Sequence, residues 1–257
     1  MGVELEPERT PTPALPLSGG GRKAVFITGA AKRVGAVIAG HFAANGYDIA
    51  LHYQHSEEEA LAVQKRIQVL GVECVLFQKD LTHVAALPSL MEQVRKALPR
   101  CNALVNNASI FERAGFMETD EALFDRQFAV NFKAPFFLTQ SFARTFGEGC
   151  VVNLIDSDIA SHHISHFAYL LSKKSLAAFT TMAARELGPD VRVNGVCPGC
   201  IIPSDQNDTS YEQKMQALIP LKSHPTPQQL AEVVHWLAVQ RHITGQLIYV
   251  DGGKHVI

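Results

Sequence analysis

From Lys23 onward the chain alternates short apolar runs, rich in β-branched residues, with longer segments whose apolar positions recur at helical spacing. The short runs fall at Ala24–Thr28, Asp48–Tyr53, Glu73–Gln78, Ala103–Asn106, Cys150–Ile155, Val191–Cys197 and Leu247–Val250. Several are apolar at consecutive positions, as in strands of a parallel sheet covered on both faces. Amphipathic stretches near 33–45, 57–70, 84–97, 121–146, 168–187 and 227–239 supply the intervening helices. This βαβ rhythm predicts a doubly wound α/β fold, with seven parallel strands and helices on both faces. With no internal repeat and no second linker, residues 23–257 read as one domain.

Residues 1–22 follow a different pattern, with four prolines, a Gly-Gly-Gly run and no apolar periodicity. Such a segment buries too little surface to offset its ordering entropy, so a flexible arm is expected. The whole chain of 257 residues is 47% hydrophobic and 19% charged, enough apolar content for a large core. A formal net charge of −2, without any cluster of Lys and Arg, removes the electrostatic drive for nucleic-acid binding. Five cysteines in a chain of this length are sparse and odd in number, which argues against a disulfide framework and for a reducing compartment. No apolar stretch reaches the roughly 18 residues of a spanning helix, and Glu4, Glu6 and Glu8 stand where a signal peptide carries positive charge. A cytoplasmic protein without a membrane partner is expected.

The first predicted strand runs into Thr28-Gly29-Ala30-Ala31-Lys32-Arg33-Val34-Gly35 and then a helix. Glycines at such a turn let backbone approach a pyrophosphate, and the helix N-terminus offers it free N–H groups. Tyr169 and Lys173 stand four residues apart on one helix face, where an ammonium is expected to lower the phenol pKa and make Tyr169 a proton donor. Lys174 points about 100° away around the helix and reads as a solvated charge. The second strand ends in His52-Tyr53-Gln54-His55-Ser56, with no acid to hold a ribose 2′-hydroxyl. Asp48 begins that strand and so lies at the opposite end of the sheet. Lys32 and Arg33 add positive charge near the turn, as a 2′-phosphate requires.

Five elements in order, Thr28-Gly29…Gly35, Asn106-Asn107-Ala108-Ser109, Asn131, Tyr169…Lys173 and Pro198-Gly199, resemble the short-chain dehydrogenase/reductase family across residues 23–257. The resemblance implies a Rossmann-type fold that binds NADPH. Implied cofactor contacts are Gly29, Arg33, Val34 and Gly35 in the first turn, His52, Tyr53, His55 and Ser56 after the second strand, and Asp80 and Leu81 after the third. Asn107, Ala108, Ser109, Tyr169, Lys173, Pro198 and Gly199 complete that set. Pteridine reductases often carry Arg where this chain has His55. Asn131, in the long helix, would support a water linked to Lys173.

Thirteen residues before Tyr169 the family usually has a serine, whereas this chain places Asp156 there, followed by Ser157. A carboxyl group recognises donors, which pterin rings present; an Asp at this position also marks pteridine reductases, and the chain resembles that branch and the dihydromonapterin reductases, in Leu51–Ser56, Asn107–Phe111 and Asp251–His255 as well. A shift of one residue would instead give Ser157 the serine role. Phe111 matches the aromatic that stacks on pterin in that branch; an ordinary loop anchor is the alternative. The stretch Asp205–Asp208 and the histidine near the C-terminus extend the likeness. The implied activity is NADPH-dependent reduction of a dihydropterin, dihydromonapterin or dihydrofolate-like ring by hydride transfer, in a homotetramer. Asp156, Tyr169, Lys173 and Asn131 form the catalytic set, and Ser109, Phe111, Asp156 and Tyr169 contact the substrate. A carbonyl or 3-oxoacyl reductase, and a non-catalytic NADP(H)-binding regulator, remain alternatives.

Cys197-Pro198-Gly199-Cys200 has redox or zinc spacing, but no second cysteine pair exists and the family turn accounts for Pro198-Gly199. His162, His163 and His166 fall in one loop without a nearby cysteine, and no metal is expected.

Overall fold

The computed structural model describes residues 21–161, 165–201 and 216–257. Most of the expected arm, His162, His163 and the stretch Asp205–Asp208 lie outside the described residues.

Seven strands form a single sheet, β1 (Ala24–Ile27), β2 (Asp48–Tyr53), β3 (Cys74–Gln78), β4 (Cys101–Asn106), β5 (Gly149–Leu154), β6 (Val191–Pro198) and β7 (Leu247–Val250). Their order is β3-β2-β1-β4-β5-β6-β7, with every pairing parallel. The order reverses between β1 and β4, so their C-terminal ends open a crevice at the point where such sheets hold ligands. Helices α1 (Arg33–Ala44), α2 (Glu57–Gln68), α3 (Leu87–Ala97), α4 (Glu121–Phe128), α5 (Ala134–Phe146), α6 (Phe167–Leu187) and α7 (Pro227–Val239) cover the two faces. One core layer packs β-strand residues such as Ile49, Leu51 and Val152 against Ile38 and Phe42 of α1 and Val234 of α7. The other packs Phe26, Leu104 and Val193 against Met91 of α3 and Leu138 and Phe142 of α5. Among the described residues no helix is long and apolar enough to cross a membrane.

The helix expected over 121–146 is in fact three pieces. α4 passes into a π-helical turn, Ala129–Lys133, and then into α5, which has Pro135 in its first turn. A proline without an N–H suits a helix start, where that donor has no partner anyway. The apolar period of four, Phe124-Phe128-Phe132-Phe136, continues through the break, so periodicity alone does not reveal it.

Candidate active site

The first turn after β1 and the turn after β4 are laced together by one hydroxyl and one amide. Thr28 Oγ1 accepts from the N–H groups of Asn107 and Ala108, both at 2.9 Å. Asn107 Nδ2 donates to the carbonyls of Thr28 at 2.8 Å and Gly29 at 3.1 Å. Gly29 has a φ of 62°, a left-handed conformation that glycine adopts without steric cost. A Cβ on Gly35 would collide with the Gly29 carbonyl and lie 2.6 Å from Asn107 Nδ2. Arg33, with φ of 50°, also takes the left-handed region, a strained choice for a long side chain.

These turns wall a cavity of about 340 Å³. Of the expected cofactor residues, Gly29, Arg33, Val34, Gly35, His52, Asp80, Leu81, Asn107, Ala108 and Ser109 line it. Lys32, Gln54, Lys79, Ile110 and Val130 line it as well, the last four without having been singled out. Gln54 and Lys79 each stand one residue beyond a strand that already supplied expected contacts. Lys32 pairs with Glu59 of α2 at 2.6 Å.

His52 reaches the cavity, but both its nitrogens are committed to backbone. Nδ1 accepts from the Gly29 N–H at 3.1 Å, and the other nitrogen donates to the Lys79 carbonyl at 2.9 Å. Burial pushes this imidazole down to about 4, so it braces the turn as a neutral ring. Tyr53 does not line the cavity: strand residues alternate faces, and its ring packs in the core with Ile49 and Leu51. His55 is exposed and Ser56 half-buried, and neither lines the cavity. Asp48 accepts from the Glu73 N–H at the far end of the sheet. Pro198 and Gly199 also lie outside the cavity lining; Gly199 donates to the Val250 carbonyl and packs against Asp251.

The acid, the phenol and the ammonium come together beside the end of β5. Tyr169 Oη donates to Asp156 Oδ2 at 2.7 Å, and Asp156 Oδ1 accepts from the Asp158 N–H at 2.8 Å. Lys173 is buried and donates to the Leu154 carbonyl at 2.9 Å, with its ammonium 5.8 Å from the centre of the Tyr169 ring. Ser157, one residue on, is buried, and its hydroxyl finds no hydrogen-bond partner among the described residues. Asp156, not Ser157, thus faces Tyr169.

The electrostatics of the cluster reverse one expectation. Burial, then the Asp156 carboxylate, hold the Tyr169 phenol well above its ordinary value instead of Lys173 lowering it. Burial raises Asp156 and depresses Lys173 to about 8. Lys174 is half-buried and donates to the Ser161 carbonyl at 2.7 Å, so it is a tether and not a solvated charge. A link that no single sequence reveals joins Lys254, in the last turn of the chain, to Asp158 at 2.5 Å.

Asn131 sits in the π-helical turn, fully buried. Its Oδ1 accepts from the Ile110 N–H at 2.9 Å and Ser109 Oγ at 3.0 Å, while its Nδ2 donates to the Ile110 carbonyl at 3.0 Å. Phe111 extends beyond this clamp, its ring 4.5 Å from that of His166 and 4.8 Å from that of Tyr169. His166 thereby joins the site, a residue earlier weighed only as a metal ligand. Cys197 is buried with its thiol pushed up to about 12, whereas Cys200 is exposed. Among the described residues no group of three or more His, Cys, Asp or Glu side chains could hold a metal ion.

The chain is 31% identical over 242 residues to a 3-oxoacyl-[acyl-carrier-protein] reductase FabG of Staphylococcus epidermidis, covering 91% of this chain and 99% of that one. It is 28% identical to pteridine reductase 1 of Leishmania tarentolae, over 89% of this chain and 94% of the relative. Among solved structures it resembles FolM alternative dihydrofolate reductase 1 from Brucella suis in complex with NADP, with a TM-score of 0.84 and 32% identity over 91% of this chain and 96% of that one. A family model described as enoyl-(acyl carrier protein) reductase matches residues 29–255. The chain belongs to that family and is an oxidoreductase of the short-chain dehydrogenase/reductase type.

Proposed function

We propose that this protein reduces a C=N bond of a pterin ring, a dihydropterin, dihydromonapterin or dihydrofolate-like compound, with NADPH as the reductant. The observation that carries the reading is the 2.7 Å contact between Tyr169 and a carboxyl group, Asp156, in place of a serine hydroxyl. A carboxyl group accepts from ring N–H and amino donors and, when protonated, returns a proton to a ring nitrogen. The pteridine reductase and FolM likenesses point the same way.

The cavity at the glycine turn, beside the N-terminus of α1, fits a dinucleotide pyrophosphate, and Gly35 lets that helix lie against Gly29 and Asn107. Lys32 and Arg33 beside it, and the absence of an acid at the end of β2, fit a 2′-phosphate. Bound NADPH would supply the hydride. Tyr169 and Asp156 hold and pass the proton. Lys173 holds positive charge beneath Tyr169 and would bind the nicotinamide ribose. Asn131 fixes the backbone of Ile110, and Ser109 and Phe111 wall the slot for a flat substrate. Intact Tyr169 and Lys173 argue against a regulator without turnover.

A second reading, reduction of a ketone such as a 3-oxoacyl group, is favoured by the 31% identity to a 3-oxoacyl-[acyl-carrier-protein] reductase and by the Ser157 hydroxyl, which has no hydrogen-bond partner among the described residues. Assaying 7,8-dihydropterins against 3-oxoacyl thioesters separates the two. Pterin turnover that falls roughly 10²-fold in Asp156→Asn, with NADPH affinity little changed, supports the first. Brisk ketone reduction that tolerates Asp156→Asn and fails in Ser157→Ala supports the second.

A further inference from the structure

The segment between β4 and α4 has no regular secondary structure, yet it carries Phe111 at the mouth of the site. Phe111 is 45% exposed, and its ring meets those of His166 and Tyr169 at one edge, so its place depends on the backbone it hangs from. That backbone is held from below by Gln127, on α4, whose side chain is 0% exposed. With the Gln127 amide turned so that Nε2 faces the Ile110 carbonyl at 3.0 Å, Oε1 accepts from the Glu112 N–H at 2.9 Å; in the opposite orientation Oε1 accepts from Asn131 Nδ2 at 2.9 Å. The Ile110 carbonyl and the Glu112 N–H flank Phe111 on either side. One planar amide thus spans the peptide units before and after the ring-bearing residue, a match that needs both a donor and an acceptor on a rigid plane. Asn131, one turn on, pins Ile110 a second time, and Arg126 pairs with Glu112 on the outside at 3.2 Å.

We propose that Gln127 is a positioning residue for Phe111: by fixing the Ile110 and Glu112 peptide units it holds the ring edge-on to Tyr169 and sets one wall of the substrate slot. The inference rests on the reading above that Phe111 faces the substrate. Buried, with its amide against the loop backbone and against Asn131 at 2.9 Å, Gln127 acts through the loop and through the Asn131 clamp on Ile110.

The test is Gln127→Met, which keeps length and apolar packing and loses both hydrogen bonds. With a 7,8-dihydropterin as probe, KM should rise about five- to tenfold, as expected for losing a pair of modest hydrogen bonds, while kcat stays within about threefold and NADPH affinity is unchanged. Adding Phe111→Ala to Gln127→Met should raise KM no further than Phe111→Ala alone, because both act through the same ring. Gln127→Glu, which keeps the acceptor for Glu112 but sets an oxygen against the Ile110 carbonyl, should raise KM at least as far as Gln127→Met. Additive effects on KM, or an unchanged KM in either Gln127 variant, overturn the proposal. A readout without substrate keeps it separate from the assigned activity: the His166 ring proton resonance, displaced by the neighbouring Phe111 ring, should move in Gln127→Met toward its position in Phe111→Ala. An unmoved resonance overturns the proposal even if pterin is turned over, and absence of pterin turnover with a moved resonance overturns only the substrate assignment.

Discussion

Moving the Asp156 carboxyl out of water raises its proton affinity, and the Asp158 N–H and the Tyr169 hydroxyl only partly reverse that. Its folded-state pKa therefore lies above the unfolded value of about 3.9. Between those two values the folded chain binds more protons than the unfolded one, so stability contributed by the protonated carboxyl is present in acid and lost as pH rises through the folded pKa. Asp156→Asn keeps the shape and, through its one oxygen, the cap on Asp158, and replaces the charged acceptor of Tyr169 with a neutral NH2 donor. It is expected to raise Tm at pH 8, by about 2–4 °C for each kcal/mol recovered, and the gain should vanish at pH 4. An equal gain at both pH values would show that burial of the charge is not the cause. Tyr169 complements this, since a phenol held well above its ordinary value keeps its proton throughout the physiological range. Tyr169→Phe should accordingly lower kcat by roughly 10²–10⁴ with little change in NADPH affinity, measured by turnover and by fluorescence titration.

At the scale of elements, the cofactor cradle depends on how closely α1 approaches the turn after β4. Gly35 stands at that contact, and a Cβ there meets the Gly29 carbonyl, Asn107 and, at 2.9 Å, Ala30 Cα. The obstacles are backbone or tightly bonded amide, so relief requires moving α1 or the turn. Gly35→Ala should cost about 1–3 kcal/mol of stability and weaken NADPH binding more than tenfold; thermal denaturation and cofactor titration check both. Normal affinity would mean the cradle is not where the pyrophosphate sits. The strands and most helices were legible because buried parallel strands and amphipathic helices differ in period, and the glycine turn, Tyr169 and Lys173 because fixed spacing carries their geometry. The π-helical turn was not, since its phenylalanines keep the period of a continuous helix. Adjacent strand residues point to opposite faces, so of His52 and Tyr53 only His52 lines the cavity. The direction of the Tyr169 shift was missed because spacing brings Lys173 near but reports neither burial nor the carboxylate opposite. Gln54 and Lys79 lay one residue past strand ends that were read correctly, and Lys254 meets Asp158 across 96 positions of sequence.

Viewed as a whole molecule, α4, the π-helical turn, α5 and α6 carry a run of aromatic and methionine side chains left partly in water. Phe124 and Phe128 stack at 4.4 Å, Phe128 meets Phe132 at 6.2 Å, and Phe132 and Phe136 meet Phe179 of α6 at 6.4 and 4.9 Å. All but Phe124 are half-buried, Phe124 is exposed, and Leu171 and Met182 of α6 are 40% and 70% exposed. Aromatic and methionine side chains gathered on one face mark association surfaces, because a ring left partly in water gains most from being covered. A stable association covers roughly 800 Å² on each partner, which a pair of helices can provide. The same face packed on itself about a two-fold axis gives a dimer, and a second two-fold interface makes the homotetramer proposed from the family. Sedimentation velocity should therefore show a tetramer, and the double variant Phe124→Lys, Met182→Lys should sediment as a smaller species, because the four like charges it buries at a two-fold interface, two from each copy, repel one another. Its far-ultraviolet circular dichroism should stay that of the wild type, since both side chains lie outside the core clusters. A wild-type chain that sediments as a monomer at micromolar concentration would overturn the tetramer, and a double variant that remains tetrameric would move the interface to another face.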